Sequence, residues 1–169
     1  MDLYLFALFA GLATLGALGV IALRNPVHSA LSLATVFVSL AALYVLLSAP
    51  FIAAAQVMIY AGAILILFLF VIMLLSPGIE QGTGPLRLQR GGAILFGLAL
   101  VIELGFVVGT MVLSPSQGSF TPEKIAQVGD TQAVGTLLFS DFLLPFEITS
   151  LLLLVAIVGV VVLTKRSTR

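Results

Sequence analysis

The chain is dominated by five long apolar runs that are separated by short polar or turn-rich joints. The runs cover residues 3–23, 27–48, 51–75, 92–113 and 142–164. Each run reaches the ~20 residues that a helix, rising ~1.5 Å per residue, needs to cross ~30 Å of hydrocarbon. Backbone groups in lipid must be satisfied within their own segment, and none of the runs alternates as barrel strands do. The pattern therefore predicts an all-α integral membrane protein with five transmembrane helices.

Turn signals mark the joints between these runs. Asn25 is a good helix N-cap residue and is followed by a proline, so we expect the second helix to begin there. Only the joint 48–50 separates the second run from the third, and these two helices should form an antiparallel hairpin. The other two connections, residues 76–91 and 114–141, are longer and contain several proline and glycine residues. We interpret both as loops of a single membrane domain, residues 1–169.

Composition supports the membrane assignment and excludes several kinds of site. Of the 169 residues, 61% are hydrophobic and 8% are charged, whereas about a quarter of the residues in a soluble domain are charged. The absence of cysteine and the single histidine exclude disulfides, iron–sulfur clusters and thiolate zinc sites on this chain. A net charge of zero with no basic cluster argues against a nucleic-acid partner.

The positive charges predict which side of the membrane each end faces. Six of the seven basic residues fall on one side of the five-helix arrangement, namely Arg24, Arg87, Arg90, Lys165, Arg166 and Arg169. The opposite side holds only Lys124. Because cytoplasmic loops carry the excess of lysine and arginine, we expect the N-terminus outside and the C-terminus in the cytoplasm. The loop 76–91 is then cytoplasmic and the loop 114–141 lies outside.

Two acidic residues fall inside the apolar runs. Glu103 is the twelfth residue of its 22-residue run, near the midplane, where an acid costs roughly 2.5–3.5 kcal/mol to insert. It is a candidate proton carrier, and the alternative is a neutral acid that is hydrogen-bonded to a neighbouring helix. Glu147 is expected at the start of the last helix, close to Pro145, where the helix dipole already favours an acid. The residues alone therefore favour a structural role for Glu147.

The third run carries a polar pair and a patch of small residues. Gln56 and Tyr60 are four residues apart and share a helix face, so Gln56 is a possible polar partner. Residues 60–63 read Tyr-Ala-Gly-Ala, and such a patch lets another helix approach closely. Gly62 also weakens the helix by up to about 1 kcal/mol relative to alanine, and simple packing is the alternative. Small residues four apart also predict packing in the first run, at Ala7/Gly11 and Ala13/Ala17.

These residues carry a resemblance to a known family. Residues 25–28 read Asn-Pro-Val-His, and residues 56–75 run from the Gln56 and Tyr-Ala-Gly-Ala elements into a Phe/Leu-rich stretch. Residues 134–139 and 146–154 match a last-helix pattern. Together they resemble the J subunit of bacterial respiratory complex I, whose mitochondrial counterpart is NADH dehydrogenase subunit 6. The third-run motif is the specific part, because a generic apolar helix would not reproduce its order.

The resemblance implies a membrane-arm subunit of a proton-translocating NADH:quinone oxidoreductase that couples quinone reduction to proton transfer. It implies no catalytic centre and no cofactor on this chain, with FMN, iron–sulfur clusters and quinone expected on other subunits. The expected partners are the K, H, A and N-type membrane subunits and the lipid bilayer. The chain would be part of an obligate hetero-oligomer in the bacterial inner membrane.

The resemblance also implies roles for particular residues. In this family the third helix can carry a π-bulge near the positions of Tyr60 and Gly62, and its change to a regular helix is proposed to open or close a water path. Glu147 matches an acid of the family's last helix, so it joins Glu103, Tyr60 and Gly62 as a candidate for the proton path or coupling. Gln56 stands where some members have glutamate, and Glu103 matches no family motif.

Two other functions stay open at this point. The chain could be a purely structural scaffold of the same complex, in which case substitutions of Tyr60, Glu103 and Glu147 would affect only assembly. It could also be a membrane subunit of a related cation/proton antiporter or membrane-bound hydrogenase complex. The electron donor, NADH or ferredoxin, does not follow from this chain.

Overall fold

The computed structural model describes residues 2–75, 87–113 and 122–165, and all regular structure in these ranges is helical. The helices are α1 (Asp2–Ala22), α2 (Pro26–Leu46), α3 (Pro50–Ala55), a π-helical segment (Gln56–Ile64), α4 (Leu65–Leu75), α5 (Arg87–Leu113), α6 (Pro122–Val128), α7 (Asp130–Phe139) and α8 (Leu143–Thr164). The π segment follows α3 and precedes α4 without a break, so these three form one continuous third span, Pro50–Leu75.

Five helices are long and apolar enough to cross a membrane, which confirms the predicted all-α, five-span fold. The spans are Leu3–Ala22, Pro26–Leu46, Pro50–Leu75, Gly91–Thr110 and Leu143–Thr164. The N-cap of the second span is also confirmed, because the Asn25 side-chain oxygen accepts hydrogen bonds from the amides of Val27 at 2.9 Å and His28 at 3.5 Å. Residues 76–86 of the predicted cytoplasmic loop lie outside the described residues, and the orientation of the termini stays a prediction.

The segment 114–141 differs from the simple loop that the sequence predicted. It contains α6 and α7, which are separated at Gly129. The φ angle of Gly129 is 92°, a conformation that glycine adopts without strain. Hydropathy detects helices that span the membrane, but it does not reveal helices of seven and ten residues. Pro122 at the start of α6 and the acid in the first turn of α7 were the available signals.

The first three spans pack into an N-terminal unit with α2 in the centre. α2 contacts α1 and also contacts all three parts of the third span, so the predicted hairpin of the second and third helices is confirmed. The Ser29 hydroxyl at the start of α2 donates a hydrogen bond to the Val20 carbonyl of α1 at 2.6 Å. The buried side chains of α2 and the third span are Ala30, Ser39, Ala41, Ala53, Gln56 and Leu65.

Two glycines bring α1 and α2 together. A methyl group added at Gly16 would lie 2.9 Å from Val36 Cγ2, and one at Gly19 would lie 2.5 Å from Ser32 Oγ. A methyl group at Gly11 would meet nothing within 4 Å. The packing face of α1 within this chain is therefore the Gly16/Gly19 face. Gly11 takes no part in this contact, and the packing predicted at Ala7/Gly11 stays a prediction.

The remaining spans stand apart from the N-terminal unit. α5 contacts none of the other described helices, and α8 contacts only α7. α7 also contacts α3 and α6, so in the described part of the chain it is the link between the N-terminal unit and the last span. The side chains of residues 91–110 in α5 and those of α8 are almost all exposed. Apart from the contact of α8 with α7, these two spans consequently offer their surface to lipid and to other proteins.

Candidate coupling site in the third span

The third span contains a nine-residue π-helix, Gln56–Ile64. At its end the Leu65 amide donates a hydrogen bond to the Tyr60 carbonyl, five residues earlier instead of four. Helices of this kind are rare, occur mostly as local insertions in α-helices, and are frequent at functional sites. The structure thus contains the π element that the resemblance implied, with Tyr60 and Gly62 inside it.

The π segment decides which residues of the third span face the rest of the N-terminal unit, which this span contacts through α2. Gln56 at its start and Leu65 just beyond its end are only 8% and 5% exposed, whereas Ile64 is 47% exposed. In a continuous α-helix the step of nine positions from Gln56 to Leu65 would make about two and a half turns, which would put these two side chains on opposite faces. The wider turns of the π segment allow both to be buried.

Tyr60 attaches the middle of the π segment to α2. Its ring packs edge-to-face against Phe37, with ring centroids 5.5 Å apart and an interplanar angle of 66°. Aromatic pairs of this geometry contribute about 0.5–1.5 kcal/mol beyond the area they bury. Tyr60 is still 47% exposed, so about half of its surface remains free to contact groups outside this chain.

Gly62 occupies a position where the π-helical backbone leaves little room for a side chain. A methyl group at Gly62 would lie 3.3 Å from the carbonyl oxygen of Val57. Val57 is five residues earlier, and its carbonyl is therefore the one that a π-helix directs at the Gly62 amide. A larger residue would press against this backbone oxygen as long as the segment keeps its π register.

Gln56 is buried as a residue, but the described part of the chain offers its side-chain amide no hydrogen bond, and it forms none with Tyr60. The amide atoms themselves keep some accessible surface, since no fully buried side-chain nitrogen or oxygen among the described residues lacks a partner. Buried amide groups are normally hydrogen-bonded, and glutamine has both donors and an acceptor to satisfy. A water molecule or a polar group of a neighbouring protein would complete this position at the junction of α3 and the π segment.

The two membrane acids lie on helices that do not contact the third span. Glu103 is exposed and is the thirteenth of the 20 residues in the span Gly91–Thr110, so no described helix of this chain covers it. Glu147 is the fifth residue of α8, just beyond the first turn that contains Pro145. Because the effect of the helix dipole declines after the first turn, the structural explanation for Glu147 is weaker than the sequence indicated.

One polar contact that sequence reasoning missed joins the start of the third span to α7. The backbone amide of Phe51 donates a hydrogen bond to Asp130 Oδ2 at 2.7 Å. The two residues are 79 positions apart in the chain. The contact requires the 48–50 joint and α7 to lie on the same side of the membrane. This agrees with five spans that cross the membrane in alternating directions, because the connection after the second span and the connection after the fourth span then share a side.

Comparisons with known proteins point to one family. Residues 16–163 match the family model described as NADH-ubiquinone/plastoquinone oxidoreductase chain 6. The chain is 43% identical over 164 residues to NAD(P)H-quinone oxidoreductase subunit 6 of the organellar chromatophore of Paulinella chromatophora, which covers 95% of this chain and 76% of the relative. It is 39% identical over 166 residues to NAD(P)H-quinone oxidoreductase chain 6 of a Synechocystis species, with 95% and 79% covered. It is 35% identical over 160 residues to NADH-quinone oxidoreductase subunit J of Rickettsia typhi, with 94% and 78% covered.

Proposed function

The chain belongs to the NADH-ubiquinone/plastoquinone oxidoreductase chain 6 family, and we propose that it is a coupling subunit of a proton-translocating NADH:quinone oxidoreductase. In this role the chain has no catalytic centre of its own. It links quinone reduction on other subunits to proton transfer through a change of conformation in the third span.

The π segment is the observation that carries this proposal. A conformational gate needs an element with two arrangements that differ by only a few kcal/mol. The segment Gln56–Ile64 has a regular α-helix as its alternative, and the change would rotate α4 by roughly half a turn relative to α3. Leu65, which is now buried where α4 contacts α2, would turn away from α2. The Phe/Leu-rich α4 would thus act as an apolar plug whose rotation opens or closes a water path.

The polar residues have separate tasks in this mechanism. Tyr60 and Gly62 belong to the switching segment itself, and Gln56 would hold a water molecule or a neighbouring polar group at its start. Glu103 and Glu147 would take part in proton transfer together with groups of adjacent subunits, because the third span does not contact their helices in this chain. Each acid therefore acts at an interface between subunits.

The proposed setting is the membrane arm of the complex. The exposed faces of α5 and α8 fit the K, H, A and N-type membrane subunits as neighbours in an obligate hetero-oligomer. FMN, iron–sulfur clusters and quinone would be bound by other subunits, since a chain without cysteine and with one histidine lacks the ligands for a cluster. For a bacterial chain the membrane is the inner membrane, with the N-terminus outside.

The substitution Gly62→Val tests the gate. The branched side chain would press on the Val57 carbonyl in the π register, so we expect slower quinone-linked turnover with unchanged reduction of an artificial electron acceptor by the peripheral subunits. Gly159→Val in α8, where an added methyl group meets nothing within 4 Å, is the matched control. Complex content on a native gel identifies an assembly defect, and Gly62→Ala is the milder variant if valine prevents assembly. A fully assembled Gly62→Val complex with normal turnover and normal pumping would refute the gate.

A further inference from the structure

Two spans of this protein begin with proline, but they are capped differently. In α2 the first free amide after Pro26 belongs to Val27, and the preceding Asn25 side chain accepts its hydrogen bond at 2.9 Å. The third span begins with Pro50 after Ala49, and the methyl side chain of Ala49 cannot accept a hydrogen bond. The start of the third span therefore lacks a local cap.

Asp130 supplies the missing cap from a distant part of the chain. Its Oδ2 atom accepts the hydrogen bond of the Phe51 amide at 2.7 Å, and this amide is the first free donor of the third span because proline has none. A carboxylate at this end of a helix also interacts favourably with the helix dipole. One side chain thus satisfies both a bonding requirement and an electrostatic one.

The same bond lies at the only described contact between the N-terminal unit and the C-terminal part of the chain. α7 contacts α3, and α8 is attached to the remainder of the described structure through α7 alone. Small residues accompany the contact, since Ala133, one turn after Asp130, and Ala53 in α3 are both buried. Few other interactions are available to hold the two parts together within this chain.

We propose that Asp130 is a positioning residue that ties the start of the third span to α7 and thereby sets where the last span stands relative to the N-terminal unit. The capping contact is then also a tether. With α3 fixed in this way, a change of register in the π segment would move α4 and not α3. This last consequence rests on the proposed function, whereas the tether itself does not.

Hydrogen–deuterium exchange of the assembled complex, followed by mass spectrometry, tests the tether without any measurement of quinone turnover. Asp130→Ala removes the acceptor, and Asp130→Asn keeps an oxygen acceptor without the charge. Asp130→Ala combined with Ala49→Asn gives the third span a local cap but no link to α7. Asp141→Ala is the matched control, because this acid follows α7 and makes no side-chain hydrogen bond in the described part of the chain.

The tether predicts a specific pattern of exchange. Asp130→Ala should speed exchange roughly tenfold in both residues 50–56 and residues 130–139. Asp130→Asn, which keeps the acceptor but loses the charge, should show a smaller increase in both regions, and Asp141→Ala should stay near the parent. Adding Ala49→Asn should restore protection in residues 50–56 but not in residues 130–139. If Asp130→Ala blocks assembly, the same variants are compared by the amount of assembled complex. Adding Ala49→Asn to Asp130→Ala should then fail to restore assembly, whereas the Asp130→Asn complex should assemble.

Three results would overturn the proposal. Faster exchange only in residues 50–56 would make Asp130 a cap without a tethering role. Restoration of both regions, or of assembly, by Ala49→Asn would mean that α7 is held by the order of the third span and not by the bond. Unchanged exchange in Asp130→Ala would show that the bond is not used in the complex. Each of these outcomes leaves the gate in the π segment to be judged by the Gly62 variants.

Discussion

A single methyl group at Gly16 should loosen the contact between the first two spans. The added carbon of Gly16→Ala would lie 2.9 Å from Val36 Cγ2 and 3.2 Å from the Ser32 carbonyl oxygen. Valine has one strongly preferred side-chain rotamer in a helix, and the carbonyl belongs to the backbone of α2, so neither neighbour can rotate away cheaply. The helices must instead move apart by several tenths of an ångström.

The size of the effect follows from two opposing contributions. Overpacking in a well-packed contact costs about 1–3 kcal/mol. Alanine recovers about 1 kcal/mol through its higher helix propensity, which leaves a net loss of up to about 2 kcal/mol. At Gly19 the nearest atom is Ser32 Oγ, which can rotate, so Gly19→Ala should be milder. At Gly11 nothing lies within 4 Å, and Gly11→Ala should be neutral or slightly stabilising.

Complex content on native gels after graded heating measures this series. The expected order of heat sensitivity is Gly16→Ala, then Gly19→Ala, then Gly11→Ala and the parent. Val36→Ala removes the clashing methyl group, so the double variant with Gly16→Ala should be more stable than the sum of the single effects, with a coupling of at least ~0.5 kcal/mol. A Gly16→Ala complex as stable as Gly11→Ala, or additive single effects, would refute the reasoning.

Three further predictions concern the polar and aromatic residues. Glu103→Gln should leave the complex assembled but lower the number of protons pumped per quinone reduced. An unchanged ratio would refute the proton-carrier role of Glu103 and favour the alternative of a neutral, hydrogen-bonded acid with a structural role. Glu147→Gln should lower the same ratio less than Glu103→Gln, and the reverse order would contradict this ranking. Phe37→Leu should lower the heat stability of the complex, because it removes the ~0.5–1.5 kcal/mol that the ring pair contributes. A double-mutant cycle with Tyr60→Leu isolates this contribution, and strictly additive effects of the two substitutions would show that the ring pair contributes nothing.

The spans could be predicted because their signal is local. Each apolar run is long enough to cross the bilayer, and Asn25 before a proline marks a helix start without reference to the rest of the chain. The packing face of α1 was not predictable in the same way. Small residues occur on several faces of this helix, and only the position of α2 selects Gly16 and Gly19 over the face around Gly11.

The candidate site shows the same division between local and distant information. The runs are apolar on all sides, so hydrophobic periodicity does not reveal where the third span departs from α-helical register, and only the family resemblance pointed to the π element. The lack of a cap at Ala49 was visible in the sequence. The residue that supplies it, Asp130, lies 79 positions away from Phe51, and no local pattern identifies such a partner.

The separation of α5 and α8 from the N-terminal unit affects the order of events during biosynthesis. Among the described helices, the first three spans contact only one another and α7. Residues 2–75 therefore hold nearly all the helices that these spans pack against, and the spans can pack while the remainder of the chain is still being made. α5 must then remain in the bilayer with the Glu103 carboxyl uncovered until another subunit arrives. Cells that lack the partner subunits should therefore degrade this chain rapidly, with the C-terminal spans lost before residues 2–75, and pulse-chase labelling would follow that order.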